Sequence, residues 1–259
     1  MDLHQLVCGQ VPVPEIVYAN PREEDGVGPH ILMRWIEGQT FRQIKSRRDR
    51  REIAEAAHSI GETLAQIGSF QFPCAGLIGP GLEIGAPLAE GPDRVPTFIV
   101  SCLASPEMAR RLDERHRHRL RGFIWDWARQ LAAIGDERSL VHSDYGSPNI
   151  LLNQSPNPVN GRWKVAAVLD WEFAFAGSPL YDVGHSLRYD RRTSPLMEPH
   201  FAAGFREGGG ALPDNWRNLA RVLDLTALCH MLTRPGLPED VVAELVELVV
   251  GTMLESHFL

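Results

Sequence analysis

The residues of this chain that could do chemistry gather in two short stretches, Leu140–Asn153 (LVHSDYGSPNILLN) and Val165–Glu172 (VAAVLDWE). The first holds His142, Asp144 and Asn149, and the second holds Asp170 and Glu172. A carboxylate beside a hydroxyl group can accept its proton. A second carboxylate and a neutral amide oxygen are hard donors of the kind magnesium takes. Phosphoryl transfer needs these parts together, because the attacking hydroxyl must be oriented and the phosphate charge must be neutralised. Taken singly, a His or an Asp beside a tight turn is as often a cap or a turn former. It is the joint occurrence that points to the reaction.

Two strand-like runs must position these groups. Ile150–Leu152 and Val165–Leu169 are short and apolar, and between them lies Asn160-Gly161, a hairpin turn signal. A hairpin here delivers Asp144 and Asn149 before its first strand and Asp170 after its second, all at one end. The pattern H-x-D-x-x-x-x-N from His142 to Asn149 has the spacing of a kinase catalytic loop, and Asp170 stands where kinases carry a magnesium-binding Asp.

With L-D-W-E-x-A-x-x-G-x-P-x-x-D running from Leu169 to Asp182, the chain resembles the aminoglycoside phosphotransferase and choline kinase family, over roughly Val13 to the C-terminus. The resemblance implies an α+β, protein-kinase-like fold with a truncated N-terminal lobe and a mainly helical C-terminal lobe. It divides the chain into residues 1–38, a remnant of the nucleotide lobe with its hinge, and 39–259, the catalytic and acceptor-binding lobe. It gives Asp144 the role of orienting the acceptor hydroxyl and taking its proton. His142 positions the loop by hydrogen bonds. Asn149 and Asp170 hold Mg2+, and ATP or GTP is the co-substrate. Glu172 stands where it can approach the metal or the acceptor. Asp182 braces the catalytic loop from the following helix, although an ordinary acid at a helix start is a nearly equal reading. Met33–Gly38 (MRWIEG) resembles the hinge that holds the adenine, so Met33, Trp35 and Ile36 are the nucleotide-contacting candidates. Without the later motifs that stretch reads as part of a plain hairpin.

One departure from the family pattern stands out. A complete member places a nucleotide-covering loop and a phosphate-binding Lys before the strands at Val11 and Ile31. Here the only lysines are Lys45 and Lys164, and both follow the hinge. Three expectations remain open: another group substitutes, part of the N-terminus is missing, or turnover is weak. The function implied is phosphorylation of a hydroxyl on an aminoglycoside-, choline- or sugar-like small molecule, and the rival is a non-catalytic kinase-like binding protein.

Bulk properties narrow the class further. The net charge of −7 argues against a nucleic-acid partner and suits a cationic small acceptor. The four cysteines, Cys8, Cys74, Cys102 and Cys229, lack metal-ligand spacing and read as reduced thiols of a cytoplasmic protein. The N-terminus has no signal-peptide pattern, and Val241–Leu254 is interrupted by Glu244 and Glu247, so no membrane association is expected.

Along the chain, Met1–Gly9 reads as the end of a helix, and Val11–Ala19 and His30–Ile36 as strands. Thr40 reads as a helix cap. Ile53, Ala57, Ile60, Leu64 and Ile67 mark a buried helical stripe ended by Gly68. Phe70–Pro96 is loop-like; its Gly79-Pro80-Gly81 lacks the spacing and context of a phosphate loop. Thr97–Val100 fits a strand or a helix start. Pro106–Leu120 reads as one helix in which His116 and His118 are solvated, and Phe123, Trp127, Leu131 and Ile134 as a second, closed by Gly135. After Asp182 the chain is helical, with Val183–Tyr189 continuing into Met197–Phe205. Further helices open at Pro213 and Pro238.

Overall fold

A computed structural model describes residues 2–23, 26–89, 91–154 and 162–256, so the Asn160-Gly161 turn lies outside the described residues. The chain opens with helix α1 (Asp2–Val7), followed by strands β1 (Ile16–Asn20), β2 (His30–Met33) and β3 (Gln39–Thr40). Helices α2 (Phe41–Ser46) and α3 (Arg50–Gly68), strand β4 (Gly76–Leu77) and helices α4 (Arg94–Leu103), α5 (Pro106–Arg111), α6 (Glu114–Asp126) and α7 (Ala128–Ala133) come next. Then come β5 (Ser139–Val141), β6 (Ile150–Gln154), β7 (Trp163–Val168) and β8 (Phe175–Gly177), and finally α8 (Leu180–Leu187), α9 (Glu198–Glu207), α10 (Trp216–Thr233) and α11 (Glu239–Glu255).

Two three-stranded sheets create the site. One has the order β3-β6-β7, the other β4-β8-β5, with antiparallel pairing throughout. Strand β5 runs into β6 through residues 142–149, and β7 runs into β8 through residues 169–174. Because β6 pairs with β7 and β5 with β8, both connections must pass from one sheet to the other side by side. The register Ile150↔Val168 and the bond from Leu169 N–H to Asn149 C=O, 2.9 Å, close that end of the pair.

The N-terminal strands are shorter than their sequence pattern. Pro12 and Pro14 lack the N–H a ladder needs, so pairing starts at Ile16. The β1–β2 ribbon leaves Val17, Tyr18, Ile31, Leu32 and Met33 exposed. Helix α1 packs elsewhere: Val7 and Val11 enter the main core, and Asp2 accepts the Gly81 N–H at 2.7 Å.

Helix ends follow local side chains. Thr40 and Gln43 form a capping box on α2, and Asp49 caps α3. The expected stripe of α3 is buried in full. The segment 97–100 is helical, inside α4. Three expected helices are broken. Pro106–Leu120 splits because Leu112 is extended and Asp113 restarts the helix by accepting the His116 N–H at 2.8 Å. His116 also turns its ring onto Asp113, 2.7 Å away, and is half-buried while His118 is exposed. The Phe123–Ile134 stripe crosses a break at Trp127. Between α8 and α9, the Asp190 carboxylate accepts the N–H groups of Met197 and Glu198 (2.8 and 3.0 Å), which starts a new helix.

Close helix packing is built on glycine. A Cβ on Gly61 would lie 2.1 Å from Phe201 C=O, and one on Gly204 would lie 2.0 Å from His58 C=O, so α3 and α9 touch backbone to backbone. Gly184 does the same for α8 against α10, where a Cβ would meet Ala220 C=O at 2.1 Å. Among the described residues, no helix is long and apolar enough to cross a membrane. The four cysteines are free, Cys102 and Cys229 in the core.

Candidate active site

The loop 142–149 is held from below by Asp182, near the start of α8. Its carboxylate accepts the N–H of His142 (2.7 Å) and of Ser143 (2.8 Å). Asp182 is fully buried, and burial raises its pKa to about 6 against the lowering effect of those two bonds. Ser143 takes a left-handed conformation, φ 70°, which turns the chain so that Asp144 faces outward.

His142 is buried and uses both ring nitrogens. Asp144 N–H donates to Nδ1 at 3.2 Å, so the ring proton sits on Nε2 and is donated to Leu169 C=O at 2.9 Å. That bond ties the 142–149 loop to the residue before Asp170. Burial lowers the His142 pKa to about 4, which matches a neutral ring. The ring also packs against Trp171, with centroids 4.6 Å apart.

Asp144 is half-buried, and each of its oxygens accepts a hydrogen bond. Asn149 Nδ2 donates to Oδ2 (2.7 Å) and to the Asp144 C=O (3.0 Å). His185 Nε2 lies 3.1 Å from Oδ1. Burial pushes the Asp144 carboxyl up, but His185 and Asn149 outweigh it and hold it below its ordinary value. Because Asn149 spends its amide N–H on Asp144, its Oδ1, the atom type that binds hard cations, is turned away from that carboxylate. Asp170 follows β7 in the left-handed region, φ 64°, is exposed, and lies next to the Leu169–Asn149 backbone bond. An amide oxygen and an exposed carboxylate from neighbouring loops are a donor set that fits magnesium. Glu172 is exposed in the same loop.

The hinge candidates lie apart from this cluster in sequence, at and after the end of β2. Met33 and Trp35 are exposed, Trp35 to 82%, and Ile36 is half-buried. Trp35 Nε1 donates to Glu37 at 3.0 Å. Both lysines are engaged elsewhere. Lys45 reaches Met197 Sδ (3.9 Å) and the Phe41 ring, and Lys164 pairs with Glu62 at 2.8 Å.

Sequence reading missed a second row behind Asp144. Arg188 donates to His185 Nδ1 at 3.2 Å, which fixes the proton on Nε2, facing Asp144. Arg188 is itself held by Asp224 through two bonds, 2.8 and 2.6 Å, with both side chains 6% exposed. The signal was available: Asp182, His185 and Arg188 recur every three residues on one helix, and such spacing places them along one face.

Comparison with known proteins gives the family and the fold. The family model described as "Phosphotransferase enzyme family" matches residues 2–221. An aminoglycoside phosphotransferase, APH(4)-Ia, solved as a ternary complex with ADP and hygromycin B, superposes with a TM-score of 0.72 at 18% identity, covering 99% of this chain and 82% of that one. The GDP and kanamycin complex of APH(2") gives a TM-score of 0.69 at 17% identity, covering 99% and 81%. Acyl-CoA dehydrogenase family member 11 of Gallus gallus is 27% identical over 185 residues, 71% of this chain. The chain spans 22% of the length of that curated relative. The fold is therefore the kinase-like one of the aminoglycoside phosphotransferases, with small N-terminal sheets.

Proposed function

The chain belongs to the phosphotransferase enzyme family, and on that premise we propose that it moves the γ-phosphoryl group of ATP or GTP to a hydroxyl group of a small molecule, in the cytoplasm. The observation that carries the reading is the arrangement around Asp144. Its carboxylate is ionised, fixed by Asn149 and His185, and sits beside a loop that presents Asp170.

In this reading the acceptor oxygen bonds to the γ-phosphorus while the bond from that phosphorus to the β–γ bridging oxygen breaks. The nucleoside diphosphate leaves with the electron pair, and the hydroxyl proton passes to Asp144. Asp144 orients the hydroxyl, His142 and Asp182 hold the loop, and Asn149 and Asp170 are the residues that would hold magnesium. Bound there, the metal would neutralise charge on the nucleotide phosphates. Met33, Trp35 and Ile36 form the adenine or guanine contact, within a nucleotide-lobe remnant of residues 1–38 attached to the catalytic lobe 39–259.

The test is acceptor-dependent formation of nucleoside diphosphate, with the phosphorylated acceptor identified by mass. Absence of transfer with a broad panel of hydroxyl compounds, at saturating nucleotide and magnesium, would refute the proposal. A second reading, a kinase-like binder without turnover, draws on the engagement of Lys45 and Lys164 away from the site. It predicts nucleotide binding in that same experiment with no transfer.

A further inference from the structure

We infer that the acceptor is a hydroxy acid with an apolar body, and not a polycationic sugar; the inference names the substrate class of the phosphotransferase site proposed above and rests on that reading. Its basis is a cavity of about 520 Å³ that reaches Asp144 and His185. The volume falls within the range of sites that enclose a small organic ligand. Its walls come from α4, α10 and β8, with Val95, Phe98, Phe175, Leu223 and Met231 among the lining side chains. Such walls gain most from an apolar ligand body, because binding removes apolar surface on both sides from water.

The charges lining the cavity decide the sign of the acceptor. The lining carboxylates are Asp144 and Asp224. Asp224 is neutralised by Arg188, and Asp144 is committed to the hydroxyl in the proposed reaction. An ammonium group entering this cavity finds no further lining carboxylate, and leaving water unpaired is costly. The lining cations are Arg94 and Arg234. Arg94 donates to Gly135 C=O at 2.8 Å, and among the described residues its ion pair is with the solvent-exposed Asp136, at 3.7 Å. Arg234 lies over the Phe173 ring, 5.9 Å from its centroid, and forms no ion pair among the described residues. An exposed guanidinium at an apolar cavity is a ready partner for one carboxylate. The transfer step is the one written above, with the hydroxyl of the acid as nucleophile and the nucleoside triphosphate as co-substrate.

The experiment measures binding and transfer separately on the full chain. The probes are hydroxydecanoates with the hydroxyl at successive carbons, the methyl ester of each, kanamycin and choline. Calorimetry without nucleotide is expected to show a hydroxydecanoate binding about tenfold tighter than its ester, a difference of about 1.4 kcal/mol. Arg234→Gln, at an exposed position, should erase that difference and leave ester binding unchanged. Ala227→Trp, which fills the cavity from α10, should abolish binding of both. Binding of this kind together with transfer supports both proposals. The same binding with no transfer to any probe keeps the acceptor class and removes the kinase reading. Transfer to kanamycin or choline without hydroxydecanoate binding keeps the kinase reading and overturns the inference. Equal affinity for acid and ester, or no binding of either, also overturns it.

Discussion

Replacing Arg188 separates the stability of this site from its orientation. Arg188 and Asp224 form a buried pair, each 6% exposed, joined by two short bonds. Arg188→Met leaves the Asp224 carboxylate buried and unpaired, which costs about 3–5 kcal/mol. In a chain of this size each kcal/mol is worth about 2–4 °C, so the melting temperature should fall by about 10 °C. Arg188→Met combined with Asp224→Leu removes both charges at similar volume. Stability should then recover most of the loss, because apolar replacement of a buried pair is often neutral or better. The site should not recover. His185 Nδ1 loses the donor that holds the ring proton on Nε2, so Asp144 loses a fixed partner. We expect kcat to stay about 10- to 100-fold below the parent at saturating acceptor. Nitrogen NMR of the His185 ring should show a mixture of tautomers, a readout independent of turnover. A double variant with parental kcat and a single Nε2–H tautomer would refute the reasoning. So would an Arg188→Met protein as stable as the parent.

Other consequences can be measured directly. Asp144→Asn keeps shape and should lower turnover about 10²–10⁴-fold with little change in melting temperature; a large fall in melting temperature would make Asp144 a structural residue. Asp170→Ala should abolish the tightening of nucleotide binding by magnesium, and calorimetry showing the same magnesium response as the parent would count against Asp170 as a ligand. The pair His142 and Asp182 opposes itself on acidification. Below the ordinary His range the unfolded chain takes a proton that buried His142, with a pKa of about 4, refuses, so stability falls as pH drops from about 6.5 to 4. Asp182, raised to about 6, holds a proton that the unfolded chain has lost, so its contribution rises over nearly the same window. Asp182→Asn should therefore expose the His142 loss, up to about 3 kcal/mol between pH 6.5 and 4. Urea titrations at several pH values showing parental pH dependence in that variant would contradict this.

What was legible in the sequence was whatever is local. His142, Asp144 and Asn149 lie within one loop, and Asp170 is delivered by a strand whose apolar run is plain, so their meeting follows from one antiparallel pairing. The stripe of α3 was legible because five residues repeat at helical period. The breaks after α5 and before α9 were not, because both are decided by a carboxylate accepting backbone N–H groups, that of Asp113 and that of Asp190, and such acids look like any surface charge. The row His185, Arg188 and Asp224 needed the third dimension: Asp224 is 36 residues beyond Arg188, and it arrives because Gly184 lets α8 lie against α10. The cavity beside Asp144 was illegible for the same reason. Its walls belong to elements spread from β4 to the end of α10, and only their assembly shows that the lining is largely apolar with arginine among it. The overall charge of −7 belongs to the whole surface and does not report the charge of one cavity.

The arrangement around Asp144 also defines what kind of catalyst this site can be. A carboxylate held below its ordinary pKa by two donors is a weak base at neutral pH. That is compatible with phosphoryl transfer, whose transition state is loose and asks for little proton removal before the new bond forms. What the reaction does require is placement, and the chain invests in it heavily. Ser143 and Asp170 both adopt left-handed conformations, at about 1–3 kcal/mol each for non-glycine residues in sparse regions. Against that cost stand the two N–H bonds to Asp182, the His142 bond to Leu169 C=O, and the Asn149–Leu169 backbone bond. Each of these links one of the two loops to a rigid element or to the other loop. In the proposed reaction the Asp144 carboxylate is therefore ordinary in its chemistry and fixed in position by many bonds, so positioning residues such as His142, Asp182 and His185 should govern kcat as strongly as the groups that touch the reacting atoms.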